Sequence, residues 1–472
     1  MLSVAENELV TRTGPGTPMG EVMRRYWMPT LLSWELPEPD CPPVKVKLLG
    51  ERLVAFRDTQ GQVGLLDELC AHRCASLYLG RNEESGLRCV FHGWKYDVHG
   101  NCVDMPNEPA GTVFKGQIRQ KAYPTVEMGG VIWAFMGPAD KQPPAPRFEW
   151  TQVPEQHRHV TKTWEECNWL QGLEGGIDSV HSSFLHRSLT GARNTAGLAG
   201  LRARSISAKL ELDVTDYGFL YASIRPLGDD GDYVRSYHYV MPFTQVRAAQ
   251  GDGTVQREER IHGHMWVPMD DENHMVFNWF YSFGEKPFEE REWRARLPIY
   301  LGGEQTAGFR KVRNRDNEWL LDREKQRTQS YTGIEGINTQ DHAVQESMGP
   351  IVDRSREHLG TTDKAVMAAR RLLIQAAHAV EDGGDPYSTL RSHEVYSASP
   401  EPGGLPPPPS FLDQCGRFQQ NPQAPLHSTP YVGASPGPNC PSPHQRCDTP
   451  LRSGPPTLRK TDLLAPSGRK TR

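Results

Sequence analysis

Two short segments of the chain concentrate metal-binding side chains. Residues 70–76 read CAHRCAS and residues 89–94 read CVFHGW, which together offer Cys70, His72, Cys74, Cys89 and His92. A third segment, EGGIDSVHSSFLH at 174–186, holds Asp178, His181 and His186 in the spacing D-x2-H-x4-H. Thiolates and imidazoles are ligands for soft and borderline metals. Two imidazoles and one carboxylate on one face of an iron leave the other positions open for O₂ and water.

In the first set each half contributes one cysteine and one histidine, Cys70-x-His72 and Cys89-x-x-His92, with sixteen residues between the halves. A structural zinc site takes four ligands in tetrahedral array and usually pairs its cysteines in C-x-x-C. The mixed halves suit two chemically different irons, with thiolates on one and imidazoles on the other. That is the Rieske [2Fe–2S] arrangement. Gly93 lets the second loop turn tightly, and Trp94 and Tyr96 can cover a cluster. Cys74 is then surplus. In the second set, Asp178 and His181 are three apart and would share a helix face. His186, five further on, would swing off that face unless the helix ended or bent near Ser182–Ser183. The third ligand must come from elsewhere. Asp341 in NTQDHAVQES, Asp353 and Asp363 compete for the place; Asp353 reads as a partner for the arginines in DRSRE and Asp363 as a helix cap.

The elements that must position these residues are readable in outline. A short helix and an aromatic-rich extended segment fill a lead-in over 1–42. Alternating segments PVKVKLLG, RLVAFRD and VGLLDELC, closed by GGVIWAFMG, predict an all-β domain over 43–155. The Pro-rich KQPPAP leads out of it. Over 156–398 the pattern is mixed: NWLQGLEGGIDSVHSSFLH has helical spacing, and KLELDVTDYGFLYASIRP, YVRSYHYVMPF and HMVFNWFYSF read as long antiparallel strands. DKAVMAARRLLIQAAHAVEDGG predicts an amphipathic helix between Asp363 and Gly383–Gly384. The fold class is therefore α+β. The segment 399–472 holds 17 of the 39 prolines and predicts a disordered tail.

The chain has 472 residues and a formal net charge of −5, which gives no reason to expect a nucleic-acid partner. No signal-peptide pattern opens it and no apolar run approaches the length of a membrane span, so the expected compartment is the cytoplasm. In a reducing compartment its nine cysteines argue for metal or reactive sites rather than disulfides. Cys41, Cys102 and Cys167 are isolated and read as small packing residues.

Over roughly residues 1–395 the chain resembles the oxygenase component of Rieske non-haem iron aromatic-ring-hydroxylating dioxygenases. The stretches that carry the resemblance are MLSVAENELVTRTGPGTPMGEVMRRYW, CVFHGWKYDVHGNCVDMPNEP, ECNWLQGLEGGIDSVHSSFLH and INTQDHAVQESMGPIVDRSREHLGTTDKAV. It is most similar to the phthalate 4,5-hydroxylating group. The resemblance implies a helix-grip, START-like catalytic domain with a mononuclear Fe(II) held by His181, His186 and Asp341. It implies electrons from NADH through a flavin and iron–sulfur reductase, and cis-dihydroxylation of an aromatic carboxylate. It also implies a trimer or stacked trimers, in which Asp178 bridges His181 to the cluster ligand His92 of a neighbouring subunit. At position 74 the family usually has glycine.

A phthalate would need cationic partners, and arginine matches a carboxylate bidentately. Arg202, Arg204, Arg235 and Arg247 are the candidates, with Arg247 first and Arg204 second. Three other readings remain at this point: a related oxygenase for phenoxybenzoate, a chlorobenzoate or an aryl methyl ether; a Rieske electron carrier without catalysis; and a zinc-stabilised binding module.

Overall fold

The computed structural model describes residues 1–109, 111, 113–190, 205–227, 232–247, 260–282, 286–289, 301 and 303–386. The expected tail over 399–472 lies outside the described residues.

The first part is built from short strands in three small sheets. Strands β1 (Trp27–Leu32), β10 (Thr125–Met128) and β11 (Val131–Phe135) form one sheet, in the order β1-β11-β10. Strands β2 (Val44–Leu48), β3 (Glu51–Arg57), β4 (Val63–Asp67) and β9 (Ala122–Tyr123) form the second. The third is a meander of β5 (Arg81–Asn82), β6 (Leu87–Arg88), β7 (Lys95–Tyr96) and β8 (Cys102–Asp104). The segment Cys70–Cys74 follows β4. Residues 89–94 form the loop between β6 and β7, closed by the antiparallel pair Leu87↔Tyr96.

Two apolar cores sit here. One gathers Val54, Phe56, Leu66, Leu77, Leu87, Trp94 and Tyr96 around the thiols of Cys70, Cys89 and Cys102. The other includes Trp27, Trp133 and Trp150 and runs on into the second half of the chain, where Trp150 stacks on Trp279 at 5.3 Å. The aromatic lead-in thus belongs to a core shared by both halves.

The second half holds a large antiparallel sheet. Among the described residues it has seven strands, in the order β12-β18-β17-β16-β15-β14-β13. They are β12 (Arg158–Glu165), β13 (Lys209–Thr215), β14 (Gly218–Pro226), β15 (Asp232–Val240), β16 (Thr244–Arg247), β17 (Arg260–Pro268) and β18 (His274–Ser282). Five helices matter for the site: α1 (Val4–Thr11), α2 (Pro18–Met23), α3 (Trp169–Ile177), α4 (Ile337–Ser347) and α5 (Lys364–Glu381). Helix α3 lies flush on β17. A Cβ at Gly176 would stand 2.1 Å from the Trp266 ring, so only glycine permits this approach. Asn168 caps α3, accepting from the Leu170 N–H. Its own amide donates to the carbonyls of Thr11 and Asp271 and ties the helix start to the N-terminal segment.

Helix α3 is shorter than its sequence pattern predicts. The helix stops at Ile177, not near Ser182–Ser183, and Asp178 leaves it with extended backbone (φ −63°, ψ 115°). Residues 181–183 form a single 3₁₀ turn. The cause is local: Asp178 Oδ1 accepts the N–H groups of Val180 (2.7 Å) and His181 (3.3 Å), an alternative to continuing the helix. Among the described residues no helix is long and apolar enough to cross a membrane.

Candidate metal centres

The two cysteine–histidine loops have the same backbone plan. The N–H of Cys70 donates to the Ala75 carbonyl, and the N–H of Cys74 donates back to the Cys70 carbonyl, both at 2.9 Å. In the second loop Cys89 donates to Trp94 at 2.8 Å and Gly93 donates to Cys89 at 2.9 Å. Cys74 and Gly93 are therefore equivalent positions. Both are left-handed, with φ of +57° and +79°.

The loops separate their ligands by type. Cys70 and Cys89 are both buried in the same apolar core. Burial raises the Cys70 thiol above its ordinary pKa, and the Tyr96 hydroxyl lies 3.2 Å from its Sγ. The rings of His72 and His92 lie on the half-exposed side, 4.4 Å apart, and Trp94 stacks on His72 at 4.3 Å. A buried thiol pair beside a wetter imidazole pair fits a two-iron cluster with one iron of each kind. Cys74 is exposed. Cys41 and Cys102 are buried in the apolar cores, and Cys167 is buried with its thiol on Glu165 Oε1 at 3.5 Å.

The second constellation draws on elements far apart in sequence. His181 comes from the 3₁₀ turn after α3, His186 from the following turn, and Asp341 from α4. The Nε2 atoms of His181 and His186 lie 3.4 and 3.2 Å from Asp341 Oδ1. Ligand atoms held about 2.1 Å from one metal stand about 3.0–3.5 Å from one another, so the spacing fits a single ion. These three offer ligand atoms that all lie within 4.8 Å of one another. Asp353 and Asp363 do not join them. The arginines of DRSRE act on Asp353 only in part: its carboxylate accepts from the backbone and hydroxyl of Ser355, Arg356 adds a weaker pull from a distance, and Arg354 pairs instead with Glu174 at 2.9 Å. Asp363 precedes α5 but turns its carboxylate to the Gly360 N–H.

The outer nitrogens of both imidazoles are also held. His181 Nδ1 faces Asp178 Oδ2 at 3.7 Å. His186 Nδ1 meets Gln340 Oε1 at 2.8 Å, and Gln340 Nε2 donates to the Ile334 carbonyl at 2.8 Å. That second bond fixes the amide, so its oxygen must accept from His186 and the Nε2 lone pair is left for a metal. Gln340 was not singled out from the sequence; its signal was its place beside Asp341. Burial alone would lower the pKa of His181, but Asp178 and Asp341 outweigh it and push it up to about 10. Burial would raise Asp341, yet the two histidines hold it far below the usual carboxylate range. A divalent cation satisfies the same carboxylate without those protons.

Below the histidines the sheet turns a polar face toward α3. Tyr221 OH donates to the Ile177 carbonyl, and Arg247 Nη2 lies 3.5 Å from the Gly176 carbonyl. Arg247 also donates to Gln245 Oε1 at 2.8 Å. Among the described residues no carboxylate forms an ion pair with it. Burial first, and then nearby Arg235, lower its pKa from the ordinary guanidinium value. Arg235 lies over the Tyr237 ring at 5.0 Å, and Tyr237 is the cross-strand partner of Arg247. Arg202 and Arg204 lie outside the described residues.

An all-β domain with a paired thiol and imidazole pocket precedes a helix-and-sheet domain with two histidines and a carboxylate. This combination defines the class of two-centre oxygenases. A family model described as "Rieske [2Fe-2S] domain" matches residues 26–124, and one described as "LigXa C-terminal domain like" matches residues 134–397. The chain is 41% identical to the phthalate 4,5-dioxygenase oxygenase subunit of Pseudomonas putida, over 81% of this chain and 88% of that one. It is 37% identical to the 3-chlorobenzoate-3,4-dioxygenase oxygenase subunit of Comamonas testosteroni, over 83% and 94%. The solved structure of a Pseudomonas putida CBB5 NdmA mutant with theobromine shares the fold, with a TM-score of 0.55, 18% identity and coverage of 82% and 100%. The chain belongs to the Rieske non-haem iron oxygenases, as the terminal oxygenase component of an aromatic-ring oxygenase system. The cofactors of that family are a [2Fe–2S] cluster and a mononuclear iron, reduced from NADH through a reductase.

Proposed function

We propose that the protein cis-dihydroxylates an aromatic carboxylate, phthalate at its 4,5 positions, with NADH-derived electrons delivered by a flavin and iron–sulfur reductase in the cytoplasm. The observation that carries the substrate class is Arg247: a half-buried guanidinium that forms no ion pair with a carboxylate among the described residues and feels Asp341 only at longer range, on the sheet face below the histidines. A partly desolvated cation is costly until an anion joins it, so a ligand carboxylate is its natural complement. Arg204 is proposed as a second partner.

In this reading Cys70, His72, Cys89 and His92 hold the cluster in the domain over 43–155, and His181, His186 and Asp341 hold the iron in the domain over 156–398. When bound, the iron supplies O₂ activation with electrons passed on from the cluster. Gln340 keeps the His186 proton on Nδ1 and aims Nε2 inward. Asp178 does the same for His181 and accepts a hydrogen bond from His92 of a second copy, which makes a trimer or stacked trimers the working unit. The half-exposed His72 and His92, with exposed Val90 and Phe91 beside them, give that copy a surface to meet. Arg247 holds the carboxylate so that the ring edge faces the iron, and the buried walls keep bulk water from it.

The resemblance to a chlorobenzoate-hydroxylating subunit favours one second reading, a monocarboxylate substrate. Product analysis separates the two. Purified protein, a surrogate reductase, NADH and either phthalate or 3-chlorobenzoate are incubated under ¹⁸O₂. A doubly labelled dihydrodiol from phthalate supports the first reading. Product from chlorobenzoate alone overturns it.

A further inference from the structure

Arg225 projects from β14 on the inner face of the sheet and is 2% exposed. Among the described residues its guanidinium donates three hydrogen bonds, all to neutral oxygens. Nη2 reaches the Ser179 carbonyl at 2.8 Å. Nη1 reaches Ser183 Oγ at 2.8 Å and the Ser205 carbonyl at 3.0 Å. Among the described residues no carboxylate forms an ion pair with it. Burying such a cation costs several kcal/mol of hydration that neutral acceptors only partly replace, so stability alone is a poor explanation for it.

The targets explain it better. Ser179 stands two residues before His181 and Ser183 two residues after it. The backbone between them is one 3₁₀ turn after a helix that ends at Ile177, held from within by the Ser183 N–H on the Val180 carbonyl and by Asp178 on the Val180 and His181 N–H groups, all of them contacts inside the same short segment. A rigid planar fork fastened at both flanks ties this turn to the sheet, which its internal hydrogen bonds do not do. Ser179 also adjoins Asp178, so the same fork limits where that carboxylate sits. A lysine would keep the charge but reach the oxygens from a single point.

We propose that Arg225 is a positioning residue for the iron site, stapling the backbone on either side of His181 so that its Nε2 stands at the right place relative to His186 and Asp341. This rests on reading those three residues as iron ligands.

The test uses the full chain with its cluster, with Co(II) as probe of the mononuclear site. Arg225→Lys is expected to weaken Co(II) binding by about tenfold or more, in line with other residues that orient ligands, and to alter the Co(II) ligand-field spectrum. The cluster's visible spectrum should not change. Ser183→Ala, which removes one bond and leaves the core filled, should shift affinity in the same direction by a smaller factor. A folded Arg225→Lys protein with wild-type Co(II) affinity and spectrum overturns the proposal. Should that variant fail to fold, an unchanged Ser183→Ala protein overturns it. His186→Ala is the separate control: if it binds Co(II) as the parent does, the ligand reading itself fails, whatever Arg225 does.

Discussion

The surplus cysteine gives the sharpest prediction, because the two cluster loops share one backbone plan and differ in what a side chain meets. Cys74 sits at φ +57° and is exposed, so its thiol gains nothing from packing. An L-residue in this region carries about 1–2 kcal/mol of strain. Replacing it with glycine relieves that strain and gives back about 0.5–1 kcal/mol through the freer unfolded chain. Cys74→Gly should therefore keep the cluster and hold the loop more firmly by about 0.5–1 kcal/mol, an increase of about two- to fivefold in cluster lifetime if loop opening limits its loss. Cys74→Ala keeps a Cβ and should show no such gain, which separates backbone strain from thiol chemistry. Gly93 is the opposite case. Its φ is +79° and an added Cβ would stand 2.6 Å from Pro106 Cγ. Gly93→Ala therefore adds about 1–3 kcal/mol of overpacking to the backbone strain and should shorten cluster lifetime. The assay is decay of the visible cluster absorbance with an iron chelator present, alongside thermal unfolding. Loss of the cluster in Cys74→Gly would show that Cys74 is a ligand. An unchanged lifetime in Gly93→Ala would refute the conformational argument.

Three further predictions rest on the second centre and its supports. Gln340→Leu should weaken iron binding by about 10–100-fold and leave the cluster spectrum intact; equal iron affinity would show that the amide does not orient His186. Asp178→Asn should retain iron and cluster yet slow electron transfer between them in a single-turnover experiment, whereas loss of iron would mean that Asp178 holds the site together. Fully buried Glu165 lies beside His274 (3.0 Å) and His342 (3.6 Å). Burial would raise its pKa, but the two histidines outweigh it and depress it to about 2 from 4.5. A depressed carboxyl stabilises the fold above its unfolded pKa and loses that contribution as pH falls through the folded value. About 3 kcal/mol should therefore disappear between about pH 5 and pH 2. Melting temperature against pH should fall over this window in the parent and flatten in Glu165→Gln; the same slope in both would refute the assignment.

What the sequence determined by itself is what local spacing encodes. Cys70-x-His72 and Cys89-x-x-His92 are close pairs on tight loops, so their types and separations carry the cluster chemistry. The strand alternation around them and the amphipathic period of α5 likewise follow from neighbours in the chain. The tertiary structure alone decided matters that depend on distant groups. Three aspartates were open as partners for the histidine pair, and only the packing of α4 against α3 brings Asp341 to them across 155 residues from His186. The end of α3 was misplaced because it is set by which side chain takes the free N–H groups, and Asp178 takes them at once. Gln340 and Arg225 carried no motif. Their hydrogen bonds join segments that meet only in the folded chain, and such pairings have no period for a sequence to display.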